Sequence, residues 1–183
     1  FKRIITNFSY LNCNHIVCNS HTQSNYLKSI WFLTSKVSTI FNGCHEIPFK
    51  PRENKPIKSK SLLVVGRVAY PKNGLRLLKA LQLFYEKHDF LPIVKWAGRI
   101  DNSRSKNNKT LDSMFDYLQS HIFLKKNFHF LGEVKDINTL LKEANGLISC
   151  SLFEGLPYAI CEAMHNGCPV LASNISDNPL IIG

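Results

Sequence analysis

Apolar positions along the chain form short buried runs that alternate with stretches of helical spacing. The buried runs predict strands at residues 14–18, 37–41, 61–66, 92–97, 127–131, 147–150 and 169–172. The stretches between them predict helices, one from the capping cluster at 20–22 to about residue 32 and others at 74–87, 110–121, 137–144 and 158–166. Strands separated by such helices form parallel sheets covered on both faces. We therefore expect an α/β fold with a doubly wound, Rossmann-like parallel sheet.

One basic, proline-containing stretch interrupts this alternation and predicts a boundary between two domains. Residues 48–60 carry five Lys and Arg side chains and resemble a linker. Residues 1–47 then form a short remnant of a preceding α/β domain, and residues 61–183 form the second domain. The chain begins without Met and stops at 180–183 as a new apolar element starts, so we interpret it as a fragment whose second domain is incomplete at its C-terminus.

Composition and charge narrow the possible partners. The chain has 183 residues, 44% of them hydrophobic, and a formal charge of +10. Such a charge is compatible with nucleic acid, with anionic lipid headgroups or with phosphorylated substrates. No nucleic-acid motif accompanies the basic stretch, so we expect no nucleic-acid partner, whereas a solvated linker or a peripheral contact with an anionic membrane both remain open. No run of about 18 apolar residues predicts a membrane span.

The cysteines and histidines indicate no metal site. Six cysteines are present, without CxxC pairs or a zinc-like arrangement with histidine. Cys150, Cys161 and Cys168 lie in apolar contexts that favour small buried thiols. A reduced, cytoplasmic protein is the simplest interpretation.

Polar clusters follow three of the predicted strands, where open parallel sheets bind ligands. Gly66 and Arg67 lead to Lys72 after one strand, Gly98 follows the next, and residues 151–157 follow a third. Arg and Lys supply donors and charge to phosphate oxygens, and the backbone amides before the helix at 158 lie at its positive end. These groups suit a diphosphate and could stabilise it as a leaving group. Ordinary solvation of the two cations is the simpler alternative.

Two carboxylates lie across the loop and the helix that follow the third strand. Glu162, inside the helix, could accept hydrogen bonds from two ribose hydroxyls, or could be a surface glutamate. Glu154, on the loop, could bind sugar hydroxyls or lie near the anomeric carbon, or could anchor the loop to the following amides. A pair of carboxylates also suits a glycoside hydrolase, but a hydrolase has no need of the neighbouring phosphate-binding groups.

These residues occur within a longer ordered signature. The sequence resembles the retaining glycosyltransferases of the group 1 family, also called family 4, which have the two-domain GT-B fold. The matching segments are Val65-Gly66-Arg67, Pro71-Lys72-Asn73-Gly74, Trp96-Ala97-Gly98, Phe130-Leu131-Gly132, Ser151 to Pro157 with Glu162-Ala163-Met164, and Gly167 to Ser173. Residues 16–20 and 39–43 look like the last strands of the family's N-terminal domain. Asn73 and Arg99 depart from the common pattern of the donor loops.

The resemblance implies a role for each matching position. Arg67 and Lys72 would bind the donor diphosphate and stabilise it as it leaves, Glu154 would contact the donor sugar, and these three would be the catalytic residues. Glu162 would bind the nucleotide ribose. The remaining donor-binding positions would be Gly66, Gly98, Gly155, Leu156 and Pro157. Neither a metal nor a cofactor is implied, and 61–183 would be the nucleotide-sugar-binding domain, with 1–47 on the acceptor side.

The expected activity is transfer of a sugar from a nucleotide-diphosphate sugar to a glycan or lipid-linked acceptor, with retention of anomeric configuration. The enzyme would act in the cytoplasm, with peripheral contact at the inner membrane face. The fragment alone would catalyse little, because transfer requires two domains that close on both substrates. A nucleotide-sugar epimerase of the same fold and a non-catalytic nucleotide-sugar-binding module are the alternatives.

Overall fold

The structure is a computed structural model that describes residues 10, 12–43, 61–101, 103 and 105–183. The predicted linker at 48–60 lies outside the described residues, so the division into domains at that point stays a prediction.

A small two-stranded unit comes first along the chain. It contains β1 (Ile16–Cys18), α1 (His21–Lys28), a 3-10 turn (Thr34–Lys36) and β2 (Val37–Thr39). The two strands are parallel, with Ile16 opposite Val37. Four buried side chains form its core, namely those of Cys18, Leu27, Leu33 and Val37.

The second unit contains five strands and six helices among the described residues. Its elements are β3 (Ser61–Val65), α2 (Gly74–His88), β4 (Ile93–Ala97), α3 (Ser105–Ser120), α4 (Ile122–Asn127), β5 (Phe128–Gly132), α5 (Ile137–Glu143), β6 (Gly146–Ser149), α6 (Tyr158–His165), β7 (Val170–Ala172) and α7 (Asn178–Ile182). A further 3-10 turn spans Tyr70–Lys72.

The strands of this unit form one parallel sheet in the order β5-β4-β3-β6-β7. From β3 the chain builds outward through β4 to β5, then returns to add β6 and β7 on the other side of β3. The predicted doubly wound parallel sheet is thus confirmed. The reversal places a topological switch point between β3 and β6, where such sheets open a crevice for ligands.

Helices cover both faces of the sheet. Apolar side chains of α2, α3 and α4, including Leu78, Met114 and Leu124, pack on one face with Trp96 and Val94. On the other face α5 and α6 pack through Leu141, Ile160 and Ala163 against Leu63, Ala97 and Leu147. Burial on both faces explains why these strands read as continuous apolar runs.

Several predicted helix boundaries were wrong. α3 begins at Ser105 rather than at 110, because its polar first turn is held by tertiary contact: buried Asn107 accepts a 3.1 Å hydrogen bond from the Tyr70 amide. α1 ends at Lys28 rather than near 32, since the chain turns there to bury Leu33. α6 begins at Tyr158, as predicted, with Pro157 as its N-cap, and it ends at His165. The short helices α4 and α7 were not predicted.

Five cysteines lie in the described ranges, at positions 13, 18, 150, 161 and 168. Cys168 is buried, as expected, whereas Cys150 and Cys161 are only partly buried. None of the helices within the described residues is both long enough and apolar enough to cross a membrane.

Candidate functional site

β3 and β4 are each followed by a glycine, at positions where a side chain would not fit. Gly66 and Gly98 have φ values of +130° and +152°, which disfavour any residue with a Cβ. A Cβ on Gly98 would lie 2.0 Å from the Gly66 carbonyl oxygen. That oxygen accepts a 2.8 Å hydrogen bond from the Trp96 indole nitrogen. The strand ends therefore pack backbone against backbone, and this contact fixes where the loop beginning at Arg67 leaves the sheet.

The loop after β3 folds back so that Lys72 lies over the end of its own strand. A 3-10 turn brings the chain round, and Asn73 in the left-handed conformation (φ 55°) lets α2 start at Gly74. A Cβ on Gly66 would lie 2.8 Å from Lys72 Cε. Glycine at position 66 thus makes room for the stem of Lys72, whose ammonium group reaches toward β6.

The segment of residues 151–157, called here the Glu154 loop, follows β6 and meets Lys72 at the switch point. Lys72 Nζ and Ser151 Oγ each donate to Glu154 Oε1 at 2.5 Å. The Lys72 and Glu154 side chains are only 23% and 16% exposed. The Leu152 amide also donates to the Pro71 carbonyl at 2.8 Å. Two loops that sequence reasoning placed after different strands are therefore joined by a partly desolvated ion pair.

Arg67, predicted to act with Lys72, has a different partner. Its guanidinium donates to Asp101 Oδ2 at 2.7 Å, and the Arg67 side chain is 61% exposed whereas Asp101 is 7% exposed. Hydrogen bonds from Ser103, followed by the charges of Arg67 and Arg99, hold the pKa of Asp101 below its ordinary value. Sequence reasoning missed Asp101; its signal was an acidic residue placed just after a strand within a basic stretch.

Arg67 also lines an open cleft of about 490 Å³ above the carboxyl ends of β3, β4 and β5. Arg99 and Glu133 contribute the other charged side chains. The full lining consists of Val65, Gly66, Arg67, Ala97, Gly98, Arg99, Glu133, Val134 and Ile137. The cleft therefore places the predicted donor-binding glycines beside two cations, in a space large enough for a small organic ligand.

The start of α6 is open to an anion. The helix begins at Tyr158, and its N-cap Pro157 provides no side-chain hydrogen bond. The N–H groups of Gly155 and Leu156 have no acceptor among the described residues. Free amides at the N-terminus of a helix favour negative charge, so the position can bind a phosphate oxygen.

Glu162 lies in α6 between apolar side chains. Ile160 and Ala163 are fully buried in the core beneath it, and Glu162 itself is partly buried. Within the described part of the chain its carboxylate has no hydrogen-bond or ion-pair partner, and burial raises its pKa. An unpaired carboxylate in this position gains from any ligand that donates hydrogen bonds to it.

Two serines contact Glu154, and neither contact was predicted. Ser151 is buried and donates to Glu154 Oε1. Ser176, which follows β7, accepts a hydrogen bond from the Glu154 amide at 3.2 Å and donates to the Glu154 carbonyl at 2.9 Å. Nothing in the local sequence pattern indicated Ser176, since it approaches from 22 residues away.

No group of three potential metal ligands among His, Cys, Asp and Glu occurs in the described ranges. Lys72 and Glu154 form an ion pair at the switch point.

Comparison with known proteins identifies the family. The model of the family described as "Glycosyl transferases group 1" matches residues 46–183. The chain belongs to the group 1 glycosyltransferases. This confirms the resemblance found in the sequence, and the match extends over the whole five-stranded unit.

Two curated relatives in this family have similar sequences. The chain is 31% identical over 182 residues to a capsular polysaccharide biosynthesis glycosyltransferase, CapH, of Staphylococcus aureus, with 97% of this chain and 46% of the relative covered. It is 30% identical over 169 residues to an Escherichia coli UDP-Gal:α-D-GlcNAc-diphosphoundecaprenol α-1,3-galactosyltransferase, with 85% of this chain and 41% of the relative covered. The chain thus spans less than half the length of these relatives.

Solved structures share the fold of this group 1 chain. A structure of Anabaena HepE in complex with UDP and glucose matches with a TM-score of 0.75 and 17% identity, over 94% of this chain and 48% of that one. Pneumococcal GtfA in complex with UDP and GlcNAc matches with a TM-score of 0.70 and 15% identity, over 92% and 32%. The fold is the Rossmann-like half of a GT-B glycosyltransferase.

Proposed function

We propose that this chain is the donor-binding part of a retaining glycosyltransferase, which transfers a sugar from a nucleotide-diphosphate sugar to a glycan or lipid-linked acceptor. The observation that carries the proposal is the Lys72–Glu154 ion pair at the switch point, next to the open N-terminus of α6. It brings a cation, free amides and a carboxylate to one place in a group 1 glycosyltransferase. A diphosphate and the sugar attached to it need these groups side by side.

The diphosphate is assigned to Lys72, Arg67 and the amides of Gly155 and Leu156. Lys72 reaches the site over Gly66, and Arg67 stands on the rim of the cleft, where its exposed guanidinium can turn to a phosphate. Charge that grows on the departing diphosphate is stabilised by these donors. The proposal assigns this neutralisation to the protein's own groups and not to a metal ion.

The two glutamates are assigned to the two sugars of the donor, one to each. Glu154, held by Lys72 and Ser151, is assigned to the hydroxyls of the donor sugar. Glu162 is assigned to the ribose hydroxyls, because its carboxylate has acceptor capacity that no described residue uses. The cleft bounded by Gly98, Arg99 and Val134 is assigned to the base.

Retention of configuration follows from attack on the face that the diphosphate leaves. The bond between the anomeric carbon and the diphosphate oxygen breaks, and a bond forms from the acceptor oxygen to that carbon. The acceptor proton passes to an oxygen of the departing phosphate. No enzyme carboxylate needs to act as the nucleophile.

Uracil is the base that we propose for the donor, from the names of one relative and two structural neighbours. The E. coli relative is named for a UDP-linked galactose donor and a diphosphoundecaprenol acceptor, and two of the structural relatives are complexes with UDP. We assign a UDP-sugar donor to this chain on that basis. A lipid-linked acceptor would suit peripheral contact with an anionic membrane at its cytoplasmic face, as the basic stretch at 48–60 suggests.

Calorimetric titration with UDP, GDP, ADP and uridine, without added metal, tests the proposal. UDP should bind more tightly than uridine and than the purine nucleotides. The advantage of UDP over uridine should collapse in the double variant Lys72→Ala/Arg67→Ala, with Lys79→Ala, an exposed lysine of α2, as the control. Discrimination that persists in a folded double variant would place the phosphate site elsewhere.

A further inference from the structure

A buried carboxylate outside the assigned donor site ties the two units of the chain together. Asp177, 3% exposed, precedes α7, yet its partners lie more than 150 residues earlier, at the start of α1. Its Oδ2 accepts from the His21 amide at 2.5 Å, and its Oδ1 accepts from the Thr22 amide at 2.8 Å and the Thr22 hydroxyl at 2.6 Å.

Capping alone does not require this long-range contact. Ser20 already caps α1 by accepting from the Gln23 amide at 3.2 Å. Asp177 adds a negative charge at the positive end of the same helix, where charge-assisted hydrogen bonds are strong. Burial alone would raise the pKa of Asp177, but the hydrogen bonds from Thr22 and His21 lower it on balance. The carboxylate is therefore held in its charged form against α1.

The residue before Asp177 holds the Glu154 loop. Ser176, in the left-handed conformation with φ of 47°, bonds both the amide and the carbonyl of Glu154. Ser176 and Asp177 are consecutive, and they thus bind two different elements, the Glu154 loop and α1. The turn between β1 and α1 also touches the loop directly, since a Cβ on Gly155 would lie 3.0 Å from Asn19 Oδ1.

We propose that Asp177 is a positioning residue that holds the turn between β1 and α1 against the Glu154 loop. Restricting the motion of one of these segments then also restricts the motion of the other. The inference rests on the proposed function insofar as that function assigns the loop to the donor. It deepens that function by giving the donor loop a fixed connection to the unit that precedes the five-stranded sheet. A donor that orders the loop then also orders the start of α1.

Amide hydrogen exchange of the 183-residue chain, read by mass spectrometry, tests the connection without any ligand. Asp177→Asn should speed exchange at least about tenfold both in α1 and in the Glu154 loop. The Glu154 amide is a direct reporter, because it donates to Ser176. Thr22→Val, which removes one of the three hydrogen bonds and leaves Asp177 in place, should produce a smaller increase in the same two segments.

Asp136 offers a matched control. It caps α5 by accepting from the Thr139 amide at 3.1 Å and the Thr139 hydroxyl at 2.6 Å, the same chemistry within one short segment. Asp136→Asn should leave exchange in the Glu154 loop and α1 unchanged. If Asp177→Asn does not fold, Thr22→Val decides the question. Exchange that rises in α1 while the loop stays at its wild-type rate, in a folded variant, would overturn the proposal.

A second arm uses UDP as the probe. In the wild-type chain saturating UDP should slow exchange in the loop and also in α1, and Asp177→Asn should abolish only the effect on α1. Protection confined to the loop in the wild type would overturn the transmission. If UDP does not bind, the proposed function fails, and the ligand-free comparison still decides the connection.

Discussion

Glu154 and Glu162 belong to one continuous segment of loop and helix, and they lie in opposite surroundings. Glu154 accepts from Lys72 and Ser151 and is fixed through its backbone by Ser176. Glu162 has no described partner, and burial raises its pKa. The first carboxylate already has partners within the protein, whereas the second has none among the described residues and can accept hydrogen bonds from a ligand. We therefore expect Glu154 to contribute to the shape of the proposed site, and Glu162 to its affinity.

The largest expected effect is on nucleotide binding by Glu162→Ala. Loss of charge-assisted hydrogen bonds to ribose should weaken UDP binding by about 1–3 kcal/mol, which is roughly a 5- to 150-fold rise in Kd. Calorimetry on the folded variant measures this, with Glu143→Ala, an exposed glutamate at the end of α5, as the control. Unchanged affinity would remove Glu162 from the donor site.

In the same titration, Glu154→Gln should not weaken UDP binding as Glu162→Ala does. UDP lacks the transferred sugar to which Glu154 is assigned, and the substitution releases Lys72 Nζ from the competing carboxylate. Affinity for UDP should be unchanged or rise up to about threefold, a gain of no more than about 0.7 kcal/mol. A loss as large as that of Glu162→Ala would show that the two glutamates do not divide the donor as proposed.

Folding stability should depend more on Glu154 than on Glu162, the reverse of their effects on UDP binding. Glu154→Gln removes a partly desolvated ion pair and should lower the free energy of unfolding by about 1–2 kcal/mol. Lys72→Met should cost a similar amount, and the double variant should cost less than the sum because both changes break one contact. Urea denaturation measures all three, and Glu86→Gln, in an exposed pair with Gln82 on α2, is the control. Strict additivity would mean that the pair contributes no coupling energy.

The smallest effect is the pH dependence of Glu162. Its pKa is raised in the folded chain, so the unfolded chain ionises first, and this group lowers stability as pH rises from about 4.5 through its folded pKa. Glu162→Gln should therefore match the wild type near pH 4 and exceed it at pH 7. Solvent screening of a partly exposed carboxylate limits the gain to about 0.3 kcal/mol. Thermal unfolding at the two pH values measures the difference, and a gain already present at pH 4 would contradict this cause.

Several candidate site positions lie where local sequence predicted them, directly after strands of the parallel sheet. Gly66, Gly98 and residues 151–157 each follow a strand whose apolar run is unmistakable, and parallel strands bring their carboxyl ends to one edge. Glycine at 66 and 98 is explained by the close approach of two backbones and of Lys72, a requirement that the residue type itself signals.

The supporting residues could not be predicted in the same way. Asp101 binds Arg67 from 34 positions away, Ser176 binds Glu154 from 22, and Asp177 binds Thr22 from 155. Each is a single polar residue with no periodic pattern around it. The predicted start of α3 was too late for a related reason. Asn107, in its first turn, is stabilised by a distant amide and not by apolar spacing.

By itself the sequence determined the alternation of strands and helices, the doubly wound sheet and the membership of the group 1 family. Hydrophobic periodicity and glycine positions are local properties, and they can be read from the order of residues alone. The tertiary structure alone decided which charges pair. An ion pair or a buried cap depends on distances of about 3 Å between residues far apart in the chain, and only packing brings them that close. Lys72 therefore meets Glu154, Arg67 meets Asp101, and Glu162 stays unpaired among the described residues.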